Sequence, residues 1–385
     1  MSFLRVNPWV VVSVSMEGWL AYRIDTNQLH RLNPTAALLI ELCDGRRTRE
    51  KILATVAPLM PEGSTAACSN WLGQALAQGL IVEQEADALP APPDASQLRD
   101  LAKDLRSNGR VLAAFICQER AAELAPDDPR NWYELGELAH IVGRREQARA
   151  AYERYQQSNP DDVEVSHLLV ALRDQTPPSR ASDTYIEQLY SHFASFYDEN
   201  VCGDLDYRAP DLLLDAISAA IGSKADLSVL DLGCGTGLFG LRIRPRARTL
   251  VGIDLSAAML DRARQRNIYD HLERAELTEW LARERSERFD VIAVCDTLIY
   301  FGDLTQVLPR AAAHLGPGGV IAFTVEAGET HPFRLTDSGR FAHHRKHLSE
   351  VADASGLQVV SLTAKTLRYE YGQPVAGWVT ALRNG

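Results

Sequence analysis

The sequence predicts a multidomain α/β chain in three parts: a small mixed sheet-and-helix domain, an all-α middle, and a mostly parallel sheet covered by helices. Three observations predict it. Proline- and alanine-rich breaks at ALPAPPDAS (88–96) and DQTPPSRASD (174–183) separate stretches of different texture. The pattern between the breaks is helical throughout. After the second break, apolar β-type runs alternate with helical ones nearly to Gly385, the signature of parallel strands joined by helices. The parts read as 1–86, 97–174 and 184–385, in keeping with the two or three domains expected for 385 residues.

Composition removes several function classes. A hydrophobic fraction of 46% excludes a disordered or collagen-like chain. No apolar run reaches the roughly 18 residues of a membrane span, and MSFLRVNPWVVV has no signal-peptide core or cleavage site. A cytoplasmic protein without a membrane partner is expected. Forty Lys and Arg against 51 Asp and Glu leave a net charge of −11, opposite in sign to a surface built for phosphate backbones, so no nucleic-acid partner is expected. Cys43, Cys68, Cys117, Cys202, Cys234 and Cys295 are scattered and form no CxxC pair; they read as reduced thiols, and no metal site is expected.

In the first part, Trp9–Val14 and Trp19–Ile24 are β-rich runs, and Gln28–Leu32 is a third short strand after the Asp25-Thr26-Asn27 turn. Asn33-Pro34 then starts a helix, since Asn caps and Pro suits the first helical position. Thr48 heads a second helix and Ser64–Gln78 forms a third, so the domain reads as winged-helix-like. The segment HRLNPTAALLIELCDGRRTREKI (30–52) resembles the PqqD-like family, the recognition element of pathways that modify ribosomally made peptides. The resemblance implies that a precursor's leader is bound as an added strand on the sheet edge, against the third helix. The implied contacts are Leu29, His30, Arg31 and Leu32 on the edge, with Trp71 and Leu72 on the groove wall. The same apolar residues also suit the core of a mini-domain.

In the middle part, Trp132, Leu135, Gly136, Ala148, Tyr152 and Pro160 fall at tetratricopeptide spacing, and a shift of 34 residues lands on Leu98, Leu101, Ala114 and Pro126. Two repeats, with a partial third over Val163–Leu172, are too few to stand alone, so the module packs on a neighbour or spaces the end domains.

The last part carries the chemistry. Its expected strands are Ser228–Leu232, Thr249–Asp254, Val291–Cys295, Val320–Val325, Gln358–Leu362 and Ala376–Leu382. Ligands of such sheets bind beyond the strands' C-terminal ends. The first strand runs through Asp231 into Gly233, Gly235 and Gly237, and the second ends on Asp254. Glycines let the backbone approach a ligand, and Asp254 can accept both hydroxyls of a ribose. A GxGxG spacing, Asp231 placed to engage an amino group, and an apolar wall of Leu255 and Met259 argue against a dinucleotide. Together these residues resemble the class I S-adenosylmethionine (SAM)-dependent methyltransferases, whose Rossmann-like domain yields S-adenosylhomocysteine (SAH).

That resemblance implies further roles. Glu276 accepts from the adenine amino group, Leu277 supplies a backbone amide, and Cys295 ends the fourth strand at the site. Tyr197 and Arg208 contact the methionine carboxylate end. YIEQLYSHFASFYDENV (185–201), LDYRAP (205–210), DTLIYFGDL (296–304) and TDSGRFAHHRKHLSE (336–350) resemble a narrower group of methyltransferases that carry tetratricopeptide repeats. Methyl transfer needs positioning and water exclusion more than covalent help. Where the acceptor must lose a proton, Asp296, Tyr300 and His343 are the candidate catalytic residues. Glu326 and His344 are further base candidates, and Arg334 with Arg340 would hold a substrate carboxylate.

The expected protein is therefore a peptide methyltransferase whose partners are a precursor peptide, both leader and core, and other peptide-modifying enzymes. The alternatives are a small-molecule methyltransferase whose front half docks a partner protein, and a scaffold that only senses SAM.

Overall fold

The computed structural model describes residues 2–15, 18–61, 63–83, 93–193, 207–284, 286–370 and 373–384. Tyr197 lies outside them. The chain forms two compact units, 1–158 and 159–385.

In the first unit, β2 (Val10–Ser15), β3 (Gly18–Arg23) and β4 (Gln28–Leu32) make an antiparallel sheet in the order β2-β3-β4. A second small sheet, which the sequence reading did not anticipate, pairs β1 (Phe3–Val6) with β5 (Asp44–Thr48) and β6 (Ile81–Glu83). Three helices follow the local signals: α1 (Pro34–Leu42), α2 (Arg49–Val56) and α3 (Ser64–Ala77). The Asn33 side chain accepts the Ala36 N–H at 2.8 Å with Pro34 in the first turn, and Thr48 caps α2. Leu4, Leu39, Ile40, Ile52 and Leu72 close a common core between these elements.

Two helical hairpins complete the unit: α4 (Ala95–Ser107) with α5 (Val111–Leu124), and α6 (Pro129–Ile141) with α7 (Arg145–Ser158). Their first helices begin 34 residues apart, as do their second. Gly136 lets α6 approach α7, because a Cβ there would meet the Tyr152 ring at 2.6 Å.

The two units divide at 158/159, whereas the sequence places the end of the helical part at 174. Helix α8 (Val163–Leu172) packs on α9 (Asp183–Phe193), and Ala171 joins Leu335 and Phe341 in a core cluster, so α8 belongs to the second unit.

Among the described residues, the remaining α-helices of that unit are α10 (Ala209–Ile221), α11 (Leu238–Ile243), α12 (Ala257–Gln265), α13 (Leu277–Leu281), α14 (Leu308–Ala313) and α15 (Arg345–Ala354). Its strands are β7 (Leu227–Leu232), β8 (Ala247–Asp254), β9 (His271–Arg274), β10 (Phe289–Val294), β11 (Leu315–Gly328), β12 (Phe333–Leu335), β13 (Phe341–His344), β14 (Leu357–Glu370) and β15 (Gln373–Asn384). The order β12-β13-β11-β10-β7-β8-β9 is parallel from β13 to β9, and the β14–β15 hairpin pairs antiparallel with β11. All six residues of β7 are buried, as befits a strand covered on both faces. Clusters around Leu230, Ile292 and Phe323, and around Val229, Val291 and Leu213, fill the two sides. The six strands expected from sequence are present; β9, β12 and β13 were not anticipated.

Candidate functional site

A cleft opens where β7, β8 and β10 end. The turn after β7 is set by Gly233, with φ 72°, where a Cβ would collide with the Thr297 side chain. The Gly235 N–H, at φ 53°, donates to Asp254 Oδ2 at 2.8 Å. The Ser256 N–H donates to Asp254 Oδ1 at 2.8 Å, so two backbone amides hold the carboxylate. Burial nevertheless raises the Asp254 carboxyl to about 6.

Gly233, Gly235, Asp254, Leu255 and Met259 line the cavity. So do Glu276, Leu277, Cys295, Asp296 and Tyr300. These expected residues are therefore brought together. Glu276 caps α13: its Oε2 accepts from the Thr278 hydroxyl at 2.5 Å and the Glu279 N–H at 2.8 Å. The Tyr300 hydroxyl shares a hydrogen bond of 2.8 Å with Tyr190.

Other expected residues lie off the cavity wall. Gly237 starts α11 and Asp231 lies behind the glycine turn, so neither lines the cavity. Asp231 is fully buried; Oδ2 accepts from the Tyr269 hydroxyl at 2.7 Å, and burial raises the carboxyl to about 7. Arg208 precedes α10, its N–H donates to the Leu367 carbonyl, and it is not on the cavity wall. His343 is not a base at this cleft. Its ring is buried near Phe333 and stacked on His347, Nε2 pairs with the Gly302 carbonyl, and burial lowers it to about 4. Arg340 is paired with Glu370 and lies 3.7 Å from Glu326, so it is not the free carboxylate clamp expected.

Arg180 was missed. Its Nη1 lies 2.7 Å from Asp183 and donates to Glu276 Oε1 at 3.2 Å, and its guanidinium sits 5.7 Å over the Phe301 ring. Backbone bonds from Ala181 to Tyr300 and from Gly302 and Asp303 to Ser179 pin this segment across the loop after β10. Nothing near Arg180 in the sequence signals its place at the cleft, because Glu276 and Phe301 are about a hundred residues away.

The wall fits a nucleoside donor. It offers an apolar slab (Leu255, Met259, Leu277), a carboxylate at the end of β8 and a second one at Glu276. Behind it, the buried Asp231 Oδ1 has no hydrogen-bond partner, as suits an amino group brought by a ligand. The cavity is about 80 Å³, below the roughly 300–1,000 Å³ of ordinary ligand sites.

On the edge of the first unit, Leu29 is 43% exposed and Arg31 is exposed, while His30 is half-buried. Leu32 and Leu72 are corrected to core: both side chains are buried in the domain interior, and Trp71 packs partly against it. The backbone register is informative. Ile24 N–H bonds the Trp9 carbonyl, so alternate β3 residues face β2, and Ala21 and Trp19 face β4. His30 and Leu32 then pair with β3, and the backbone groups of Leu29 are directed away from it.

Residues 230–321 match the family model of the methyltransferase domain, and residues 18–81 match that of coenzyme PQQ synthesis protein D. The biotin biosynthesis bifunctional protein BioHC of Teredinibacter turnerae is 30% identical over 232 residues, covering 54% of this chain and 39% of that protein. Trans-aconitate 2-methyltransferase of Paracidovorax citrulli is 35% identical over 122 residues, covering 31% of this chain and 46% of that protein. The N-methyltransferase NodS of Bradyrhizobium japonicum, solved with SAH, aligns over 51% of this chain and 97% of its own, with 21% identity and a TM-score of 0.42. The chain spans 39% to 65% of the length of such curated relatives. Among the described residues, no helix is long and apolar enough to cross a membrane.

Proposed function

We propose that this protein methylates a ribosomally made precursor peptide, which it captures by the leader on its N-terminal domain. The observation that supports the reading is that β4 is the outer strand of its sheet among the described residues, with the Leu29 backbone groups directed away from β3, in a segment that matches coenzyme PQQ synthesis protein D. Strand addition draws affinity from backbone pairing and specificity from side-chain pockets. The helical hairpins, read as tetratricopeptide-type repeats, would hold the peptide or act as a spacer. Tethering raises the local concentration of the core peptide, so the cleft need bind it only weakly. Asp254 would hold the ribose hydroxyls, Glu276 the adenine amino group and Asp231 the amino end of the donor; the bound donor supplies an electrophilic methyl group. The protein's residues orient the acceptor and keep water out.

The test is co-expression with a short peptide encoded beside the gene, with and without the pathway's other modifying enzymes. One added methyl by intact mass, mapped by fragmentation, is the expected result. An unchanged peptide in both samples, with SAH binding intact, defeats the peptide reading. The second reading, a small-molecule methyltransferase whose N-terminal half docks a partner protein, rests on the partial match to trans-aconitate 2-methyltransferase. Turnover of a free metabolite without peptide would establish it.

A further inference from the structure

Behind the cleft's Asp296 lies a buried ion network. Arg368, on β14, sends Nη1 to Asp296 Oδ2 at 3.3 Å, Nε to Glu370 Oε1 at 2.8 Å and Nη2 to Glu326. Arg340 pairs with Glu370 and lies 3.7 Å from Glu326. The Thr324 hydroxyl donates to Asp296 Oδ1 at 2.7 Å and accepts the Asp296 N–H at 2.8 Å. Asp296, at φ 50°, occupies the left-handed region that a non-glycine residue enters only at a cost. Its carboxylate is thus fixed from two sides, and its backbone is held in an uncommon conformation.

The charges of this network do not balance. Among the described residues, three carboxylates face two guanidiniums; Arg340 and Glu370 are partly exposed and pair with each other, whereas Asp296 and Glu326 share the one guanidinium of Arg368 in a buried setting, which leaves one negative charge there, and a buried charge is costly unless paired. Glu326 and Glu370 are not on the cavity wall; Asp296 is. Whatever completes the set therefore approaches Asp296 through the cleft, and it brings a proton or a positive charge. A carboxylate acceptor would add a second negative charge at the same point.

We propose that Asp296, held in place by Arg368 and Thr324, receives the proton of the methyl acceptor, and that the acceptor is an N–H or O–H group rather than a carboxylate. This rests on the methyltransferase reading above. In the step, the acceptor's lone pair takes the methyl carbon, and the electron pair of the broken carbon–sulfur bond stays on sulfur. The acceptor's proton passes to an Asp296 carboxylate oxygen and then to solvent. Asp296 is the catalytic residue; Arg368 is a positioning residue that acts through it.

The acceptor need not be known to test this. Sinefungin carries a protonated amine on carbon where SAM carries its methyl on sulfur. Both are cations, but only sinefungin presents N–H donors at the transfer point. Calorimetric titration of the full chain with sinefungin, SAM and SAH is expected to show sinefungin about tenfold tighter than SAM, about 1.4 kcal/mol. Asp296→Asn, a near-isosteric change, should bring the two within about twofold. Arg368→Met should cut the preference to about threefold, and Arg368→Lys should restore part of it, which a merely structural role for Arg368 would not produce. Equal binding of sinefungin and SAM by the unaltered protein, or an undiminished preference in Asp296→Asn, overturns the proposal; so does SAM matching sinefungin with both exceeding SAH, since Asp296 would then only balance the sulfonium. If the unaltered protein binds none of the three, the donor reading itself fails and the proposal falls with it.

Discussion

The cleft beyond β7 is walled by buried side chains and encloses about 80 Å³, whereas β4 is an open strand edge whose Leu29 is 43% exposed. In the proposed donor cleft, carboxylates held by backbone amides would carry the recognition, and burial raises the Asp254 carboxyl. On the edge, main-chain groups carry it, and any residue supplies those. A substitution in the cleft should therefore act through lost geometry, and one on the edge through lost pairing. The cleft tolerates little change of residue; the edge tolerates much, except where an outward N–H is removed.

The largest effect is expected at the tightest point of the cleft. Gly233→Val places a Cβ against Thr297 at φ 72° and displaces the turn that presents Gly235 to Asp254. SAH affinity should fall at least about 300-fold, about 3.4 kcal/mol, by calorimetry. A loss under tenfold would mean that the turn can shift freely. Next comes Leu72→Ala in the first unit, which should cost about 3 kcal/mol of stability in denaturant unfolding, because the side chain is fully buried. Its effect on SAH binding should be negligible; intact stability with lost peptide capture would return Leu72 to the groove wall.

Two proline substitutions sharpen the contrast on the edge. Leu29→Pro removes an N–H that points off the sheet, so leader affinity should fall about tenfold with little loss of stability. His30→Pro removes an N–H that pairs with β3 and should destabilise the domain. Equal destabilisation by both would mean that the register is reversed.

The smallest effect is pH-dependent. Asp254 ionises above about 6, and its carboxylate is the form that accepts ribose hydroxyls, so SAH affinity should weaken about fourfold between pH 7.5 and 5.5. Asp254→Asn should flatten that profile. Stability should move the other way. Asp231 and Asp254 are both raised above their ordinary 3.8, so the folded state holds their protons more tightly than the unfolded state does. Their contribution is fully present below about 3.8 and is lost as pH rises through about 6 to 7. Thermal melts of the free protein over this range check the sign.

Much of this was legible along the chain. Asn33 and Thr48 announce the helices they cap because a cap acts within three residues. The glycine turn and Asp254 announce the donor cleft because adjacent parallel strands bring the ends of β7 and β8 together over some twenty residues. The 34-residue spacing announces the hairpins. What local sequence left unassigned depends on contacts across the fold. Arg368 reaches Asp296 from 72 residues away only because the β14–β15 hairpin folds back onto β11. Arg180 reaches Glu276 across 96 residues. His343 looked like a base on chemistry alone, and burial beside Phe333 and His347 removed it from the cleft. Caps, turns and periodicity are short-range and written in the order of residues. Which buried charge meets which is decided by strand register and by the cost of leaving a charge unpaired, and both exist only once the chain has packed.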